Sequence, residues 1–240
     1  MDSDTGLRLT RRGLLGGLAS LPLMAGMAEA QEECAVFTRE RQGAVMPAEA
    51  IERLKAGNER FLAGQSIHCN LLEQVHETAG GQAPFAAIVG CIDSRVPPEL
   101  VFDQRMGDIF CARVAGNFAN IDIVGSLEFA THVAGARAIV VLGHSACGAI
   151  KSAVDGVELG NITAMLKNFD SALARLTPED GERISTNEAL VQKVADENAR
   201  LTAASLTARS EILARMVDEG QLVIASAMHD ITTGRISWLS

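Results

Sequence analysis

The chain has 240 residues, of which 48% are hydrophobic and 21% are charged, and it carries a formal net charge of −9. These proportions are those of an ordinary globular protein that is long enough for one domain with a sizeable core. An acidic chain without a basic cluster argues against binding to nucleic acid or to anionic membrane surfaces.

The first thirty residues have the pattern of an export signal. A twin-arginine pair at 11–12 is followed by a Gly-rich apolar segment and then by the small-x-small cleavage pattern Ala28-Glu29-Ala30. The apolar segment is shorter than the roughly twenty residues that a membrane-spanning helix requires. We therefore predict that residues 1–30 are a twin-arginine signal peptide, and that the protein is exported folded and is periplasmic, with no membrane anchor in the mature form.

After the signal peptide, residues 31–46 are predicted to be a flexible lead-in, and residues 47–240 a single domain. Pro47 opens an amphipathic helix pattern. Cys34 and Cys69 fall in predicted loops, and the sequence leaves open whether they form a disulfide in an oxidising compartment.

From residue 85 onward, strand and helix patterns alternate. Strands are predicted at 85–91, 108–114, 138–143, 221–228 and 235–239, and helices at 98–103, 121–135, 147–156, 161–175 and 187–219, the last of which could contain a break. Such alternation favours an α/β fold in which a mostly parallel sheet is flanked by helices.

Two of the predicted strands end in side chains that bind soft metals. The run Phe85–Gly90 leads into Cys91, and the run Ala138–Gly143 leads into His144 and Cys147. Zinc accepts thiolate and imidazole ligands, and a catalytic zinc site keeps three protein ligands and one open position. We therefore predict that Cys91, His144 and Cys147 bind one Zn²⁺ per subunit.

Asp93 and Arg95 follow Cys91 on alternating positions. A neighbouring guanidinium keeps a carboxylate ionised and oriented, and Asp93 is near enough to reach the fourth metal position or the water held there. A closed structural zinc site would more often include a fourth Cys or His and would not need this pair. We interpret Asp93 and Arg95 as catalytic; the alternative is a zinc staple or a set of buried core thiols.

A shared metal ion also restricts the topology of the sheet. The strands at 85–91 and 138–143 must be parallel neighbours, and the strand at 108–114 then flanks the first of them on its other side. The predicted order is 2-1-3-4, with residues 235–239 as an antiparallel edge strand. The metal site would lie at the switch point of this sheet, outside the carboxyl ends of its strands, where open α/β sheets bind ligands.

Cys91-x-Asp93-x-Arg95 together with His144-x-x-Cys147 resembles the β-class carbonic anhydrases, and in particular their plant-like subgroup. Further similar stretches run in the expected order over roughly residues 47–240; they include Gly57-Asn58, Ala115-Gly116-Asn117, Ser126-Leu127-Glu128-Phe129-Ala130 and Asp230-Ile231-x-Thr233-Gly234.

The resemblance implies reversible hydration of carbon dioxide to bicarbonate and a proton by attack of a zinc hydroxide. Asp93 would accept the hydrogen bond of the hydroxide, and Arg95 would hold Asp93 in place. In a closed state of this family, Asp93 would instead become the fourth zinc ligand. Because two thiolates cancel the charge of zinc, we expect a weak Lewis acid and an activity that rises towards alkaline pH.

The resemblance also implies substrate contacts and an assembly. Gln82 would donate its side-chain amide to bicarbonate, while Phe110, Ala115 and Gly148 would contribute to a small apolar pocket. A homodimer or a multiple of dimers is implied as well. Two alternatives remain open at this point: a hydrolase of carbonyl sulfide or carbon disulfide on the same fold, and a non-catalytic zinc protein.

The chain departs from the family at a few positions. One subgroup inhibits itself through a bicarbonate pocket built with Trp, Arg and Tyr, but this chain has no Tyr and a single Trp, Trp238. The sequence therefore favours the constitutively open type. The roles of His229, which stands where relatives often have Tyr, and of Arg105 are left open.

Overall fold

In the computed structural model of the protein, residues 34–239 are described. The predicted signal peptide at 1–30 lies outside this part of the chain. Between residues 34 and 239, no helix combines the length and the apolar character that crossing a bilayer requires.

The strands and helices follow the predicted alternation. The strands are β1 Ala86–Gly90, β2 Ile109–Arg113, β3 Ala138–His144, β4 Val223–His229 and β5 Ile236–Leu239. The α-helices are α1 Arg39–Ala44, α2 Pro47–Leu62, α3 Leu71–Thr78, α4 Pro98–Val101, α5 Ile121–Glu128, α6 Gly148–Val154, α7 Gly160–Leu166, α8 Asp170–Leu173, α9 Glu188–Arg209 and α10 Glu211–Asp218. A π-helix at Phe129–Val133 continues α5, and short 3-10 helices lie at Lys167–Phe169 and Pro178–Asp180.

The five strands form one sheet in the order β2-β1-β3-β4-β5. All pairs are parallel except β4 with β5, which is antiparallel. This confirms the predicted α/β fold, the order 2-1-3-4 and the antiparallel edge strand. Because β1 and β3 are parallel neighbours, with Gly90 opposite Leu142, both strands end at the same edge of the sheet.

Helices cover both faces of the sheet, and the central strands are accordingly apolar along almost their whole length. All residues of β1 and of β3 are buried, as expected for parallel strands that have a core on each side. Alternate residues enter different cores: Val89 and Val141 pack in one apolar cluster, and Ile88 and Val140 pack in the other. The central strands are therefore continuous apolar runs.

The buried side chain of Asn58 on α2 joins three parts of the fold. Its Nδ2 donates to the carbonyl oxygens of Val101, at 2.9 Å, and Gly234, at 3.0 Å, and its Oδ1 accepts from the amide of Ile236, at 2.9 Å. Asn58 is 3% exposed, and such a buried amide is tolerated because its polar atoms are hydrogen-bonded. Its contacts hold the start of β5 against α2.

The flexible lead-in predicted at 31–46 is not what the structure shows for its described part. The compact unit that contains the sheet begins at Val36, and residues 39–44 form helix α1. Gln42 is 3% exposed, and its Nε2 donates to the carbonyl oxygens of Pro84, at 2.7 Å, and Ala134, at 2.8 Å. The order of this segment depends on bonds to distant residues, which a local sequence pattern does not reveal.

The long helical stretch at 187–219 is divided into α9 and α10. Ser210 lies between them in an extended conformation, and its hydroxyl accepts a hydrogen bond from the amide of Leu213, at 3.1 Å. The same hydroxyl donates to the carboxylate of Glu128, at 2.6 Å. A capping serine therefore ends one helix and starts the next.

Two features that the sequence left open are now explained. Arg105 forms an ion pair with Asp108, with Nε and Oδ2 2.8 Å apart, and the Asp108 side chain is fully buried. Cys34 and Cys69 are both disulfide-bonded, whereas Cys91, Cys111 and Cys147 are free thiols. The pKa of Cys111 is raised, chiefly by burial.

Candidate metal centre

The three predicted metal ligands come together at the carboxyl edge of the sheet. Cys91, His144 and Cys147 offer ligand atoms that all lie within 4.8 Å of one another, and the three residues are 4%, 1% and 1% exposed. Two thiols and an imidazole in a buried cluster are a typical ligand set for zinc. The spacing allows all three atoms to contact one ion.

The orientation of the His144 ring supports this interpretation. Its Nδ1 lies 3.0 Å from the carbonyl oxygen of Ser145, a contact of the kind that fixes the tautomer of metal-binding histidines. Its Nε2 is buried and has no hydrogen-bond partner among the described residues. A buried polar atom without a partner is costly, and a metal ion would satisfy it.

The turn between the two ligands of the second strand has an unusual conformation. Ala146 has a φ of 54°, in the left-handed region that most side chains avoid. The turn is held from β4: the amide of Ser145 donates to the carbonyl of His229, at 2.9 Å, and the Ser145 hydroxyl accepts from the amide of Ile231, at 3.0 Å. This fixed turn brings the ligand atoms of His144 and Cys147 together in one cluster with that of Cys91.

The other thiol, Cys91, accepts hydrogen bonds from two backbone amides. The amide of Gly116 lies 3.2 Å from its Sγ, and the amide of Asp93 lies 3.4 Å away. Arg113 fixes the same loop by donating to the carbonyls of Cys91, at 2.7 Å, and Asp93, at 2.6 Å. Hydrogen bonds to its backbone and to the thiol therefore hold the segment that follows β1 in place.

The two thiols influence each other. The pKa of Cys91 is lowered, first by the hydrogen bond from Cys147 and further by His144 and the amides of Gly116 and Asp93. The pKa of Cys147 is raised, first by the same contact with Cys91 and then by burial. Because metal binding needs both thiols as thiolates, it must release the proton that they share. The affinity for the metal therefore decreases as the pH is lowered.

Asp93 and Arg95 form the ion pair that the sequence predicts. Arg95 Nε and Nη2 donate to the two carboxylate oxygens of Asp93 at 2.9 and 2.7 Å, and the Arg95 amide donates at 3.0 Å. These bonds, with those from the Arg95 side chain contributing most, hold the pKa of Asp93 below its usual range. Asp93 Oδ2 lies 3.8 Å from His144 Nε2, beside the ligand cluster.

The four predicted substrate contacts fall into two groups. Ala115 immediately precedes Gly116, whose amide contacts Cys91, and Gly148 immediately follows Cys147 as the first residue of α6. Both therefore lie at the metal end of the sheet. Phe110 is the second residue of β2, and Gln82 is exposed ahead of β1. Within one chain, the length of a strand separates these two from the ligands.

His229, whose role the sequence left open, lies next to the metal ligands. It is 3% exposed and lies opposite His144 in the register of β3 and β4. Both ring nitrogens lack a hydrogen-bond partner among the described residues, and burial lowers the pKa of the ring. The ring lines a pocket of about 540 Å³.

Two contributors to the site, Arg113 and Asn198, were missed from the sequence. Arg113 is one of several arginines in the chain, and nothing in its spacing marks it. Asn198 is a polar residue on the buried side of helix α9, and its Nδ2 donates to the carbonyl of Gly116, at 2.8 Å. For Asn198, the only signal in the sequence is that a polar amide stands on the helix face that carries apolar residues.

The chain is similar to known proteins over most of its length. A family model described as carbonic anhydrase matches residues 86–236. Carbonic anhydrase 2 of Mycobacterium tuberculosis is 35% identical over 194 residues, which cover 79% of this chain and 91% of that protein. A carbonic anhydrase of Mycolicibacterium smegmatis is 32% identical over 191 residues, which cover 79% of this chain and 92% of that protein.

A solved structure is also similar. A tetrameric β-carbonic anhydrase of the ascomycete Sordaria macrospora has a TM-score of 0.63 and 27% sequence identity, with 70% of this chain and 90% of that chain covered.

We expect Cys147→Ala to abolish tight zinc binding, because the cluster then has two ligands. Loss of an outer hydrogen-bond partner already weakens metal binding about 10–100-fold, so loss of a ligand should exceed about 100-fold. The measurement is zinc content after gel filtration, with chelator competition for affinity. Cys111→Ala, which removes a free thiol outside the cluster, is the matched control and should retain zinc. Zinc at the wild-type level in Cys147→Ala would contradict the assigned ligand set.

Proposed function

The chain belongs to the β-class carbonic anhydrases, and we propose from this membership that it catalyses the zinc-dependent, reversible hydration of carbon dioxide to bicarbonate and a proton. The observation that carries the proposal is the cluster of Cys91, His144 and Cys147 with a carboxylate beside it. Zinc bound there would supply a nucleophilic water at moderate pH and stabilise developing negative charge.

Asp93 is suited to orient the nucleophilic water. Its carboxylate lies 3.8 Å from His144 Nε2, and would therefore be close to an ion held by the cluster and to the water bound to it. Since its pKa is lowered, chiefly by hydrogen bonds from Arg95, Asp93 is ionised at every pH at which the enzyme would work and can only accept a hydrogen bond. Arg95 fixes the carboxylate through two side-chain bonds. Such positioning lowers the barrier by holding the reactants in an attacking geometry.

The arrangement of Asp93 also supports the plant-like subgroup and a constitutively open site. Both of its carboxylate oxygens are bonded to Arg95, and Asp93 is not a member of the ligand cluster. The single Trp does not replace the aromatic pocket of the self-inhibiting subgroup: Trp238 lies on β5, with its ring centroid 6.4 Å from that of Phe102.

The dependence on pH follows from these groups. The lowered pKa of Asp93 means that its ionised form stabilises the fold above its unfolded pKa of about 3.9, and that this contribution is lost as pH falls through its folded value. Asp93 therefore does not titrate near neutrality. We expect the hydration rate to rise towards alkaline pH because of the two-thiolate metal centre, and not because of Asp93.

We expect Asp93→Asn to lower the rate of carbon dioxide hydration by about 100-fold or more while zinc content stays unchanged. The reason is that the variant lacks the ionised carboxylate that Arg95 holds in place and that would accept the hydrogen bond from water. Stopped-flow hydration from slightly acidic to alkaline pH is the measurement. Asp180→Asn is the matched control: Asp93 and Asp180 are 17% and 15% exposed in their side chains, and each has a basic partner at 2.7 Å.

An unchanged rate in Asp93→Asn would rule out the assigned role of the carboxylate. A zinc-loaded wild-type protein that hydrolyses carbonyl sulfide but leaves carbon dioxide unchanged would overturn the proposed function in favour of the related hydrolase.

A homodimer is proposed from the β2 edge of the sheet, with which no further strand pairs between residues 34 and 239. β2 is an edge strand, and parallel sheets are usually covered rather than left with a free edge. A groove of about 710 Å³ lies beside it, lined by Phe110, Ile121 and Phe129 among others. Ile121 is 75% exposed and Phe129 is 53% exposed, which is unusual for large apolar residues that line one groove.

Such a dimer would also give Gln82 and Phe110 a role. A two-fold axis at the β2 edge makes the two β2 strands antiparallel. The start of β2 in one subunit then lies beside the carboxyl end of β2 in the other. Gln82 and Phe110, which lie near the starts of β1 and β2, would reach the metal site of the other subunit, where an amide donor and an apolar wall suit bicarbonate and carbon dioxide.

We expect Phe129→Asp to convert the dimer into a monomer, because the substitution places a charge in the apolar groove. The hydration rate should fall with it by about 10-fold or more, since each site would lose the amide and the apolar wall given by the other subunit. Light scattering coupled to gel filtration measures the mass. Leu159→Asp is the control, since Leu159 is 63% exposed outside this groove. A dimeric Phe129→Asp would contradict the interface, and a fully active monomer would contradict the shared site.

Export to the periplasm is proposed from residues 1–30 and from the disulfide-bonded state of Cys34 and Cys69. Disulfides persist in oxidising compartments and are rare in the cytosol. The twin-arginine route carries folded proteins and would allow zinc to be bound before export.

Replacing both Arg11 and Arg12 with Lys should leave the full-length precursor in the cytoplasm, because the export pathway reads the arginine pair. Cell fractionation shows the location, and mass spectrometry of the wild-type protein should find a mature form that starts after Ala30. Arg8→Lys is the control and should be exported. A wild-type protein that remains in the cytoplasm would refute this localisation.

A further inference from the structure

We propose that Asn198 is a positioning residue of the metal centre: through the backbone of Gly116, it fixes the amide that donates to Sγ of Cys91 and thereby limits how strongly this thiolate donates electrons to the metal. The inference rests on the proposed zinc function and deepens it. Asn198 lies on α9, 107 positions after Cys91 in the printed sequence, and does not itself contact the ligand.

The contacts form a continuous chain from α9 to the sulfur. Asn198 Nδ2 donates to the carbonyl oxygen of Gly116 at 2.8 Å, and the amide of Gly116 donates to Cys91 Sγ at 3.2 Å. The two peptide groups that flank the Gly116 Cα are thus each held at one point. Their relative orientation is set by the dihedral angles of Gly116 alone.

Only glycine fits at this position, and glycine needs an external restraint. Gly116 has a φ of 82°, and an added Cβ would overlap with Cζ of Phe169. Glycine accepts many backbone conformations, so the angle of its amide towards Cys91 is not fixed by its own preferences. The bond from Asn198 supplies that restraint.

The burial of Asn198 agrees with this role. The side chain is 3% exposed, and its helix neighbours Val194, Ala195 and Ala199 belong to the apolar core. A polar amide in such a place is costly unless it is hydrogen-bonded. A residue that served packing alone would be apolar here.

The restraint matters because of the charge of the centre. Two thiolates neutralise the charge of a zinc ion, and hydrogen bonds to metal-bound sulfur are one of the means by which proteins adjust metal centres. An amide that donates to Sγ draws electron density away from the metal. Cys91 accepts two such bonds, from Gly116 and from Asp93. The carbonyl of Gly116 is held by Asn198, whereas the carbonyl of Asp93 is held by Arg113.

The test uses cobalt-substituted protein, in which thiolate-to-cobalt charge transfer gives an absorption band that reports the donor strength of sulfur. Asn198→Ala and the isosteric Asn198→Asp both lack the amide donor, and we expect their charge-transfer band to move to lower energy. Hydration activity of the zinc forms should fall about 10–100-fold.

Asn58 provides the matched control. Asn58 and Asn198 are both 3% exposed, and both donate through Nδ2 to backbone carbonyls, but Asn58 lies in the opposite apolar layer. Asn58→Ala and Asn58→Asp should lower thermal stability and leave the cobalt band in place. An unchanged band in both Asn198 variants overturns the proposal, and so does an equal shift in the variants of both residues.

A second measurement does not require any variant to fold. In the wild-type protein loaded with cadmium-113, a scalar coupling between the metal and the amide proton of Gly116 should be detected across the hydrogen bond to Cys91. Absence of this coupling overturns the inference. Both spectroscopic measurements remain valid if the protein does not hydrate carbon dioxide, so a failure of the proposed function can be told apart from a failure of this one.

Discussion

The parallel pairing of β1 with β3 is the constraint on which the rest of this structure depends. It makes the two strands end together, so that Cys91 at the end of one strand meets His144 and Cys147 at the end of the other. Because both strands are buried on both faces, the register is strongly fixed: a slip by one residue would exchange the two cores and separate the ligands. The helices that cover the sheet therefore also stabilise the metal site.

Around the ligands, the protein balances charges that would be costly if left alone. Backbone amides donate to the sulfur of Cys91, and Arg95 neutralises Asp93. Arg113 and the turn at Ala146 hold the two ligand-bearing loops in shape. These contacts hold the ligands in position, and such support from neighbouring groups lowers the cost of binding an ion in the correct geometry.

A single chain contains the metal centre but not every group expected at the substrate. Gln82 lies ahead of β1, and Phe110 lies near the start of β2, both away from the ligands. In the proposed dimer, the exposed apolar residues beside β2 would form the contact through which a second copy brings such groups to the site. In the proposed dimer, the β2 edge of the sheet and the separation of these two residues from the ligands would therefore have one common explanation.

The strands, the metal ligands and the Asp93–Arg95 pair could be predicted from the sequence, because they depend on local patterns: apolar runs that must be buried strands, and the side chains that directly follow them. The sheet order could then be predicted because ligands at the ends of two strands must share one ion. Features that depend on distant neighbours became visible only in the folded protein. The segment at 39–44 is helical because Gln42 bonds to Pro84 and Ala134, and Asn198 reaches Cys91 only through Gly116. Spacing along the chain records strand and helix periods, but contacts between residues far apart exist only once the layers have packed.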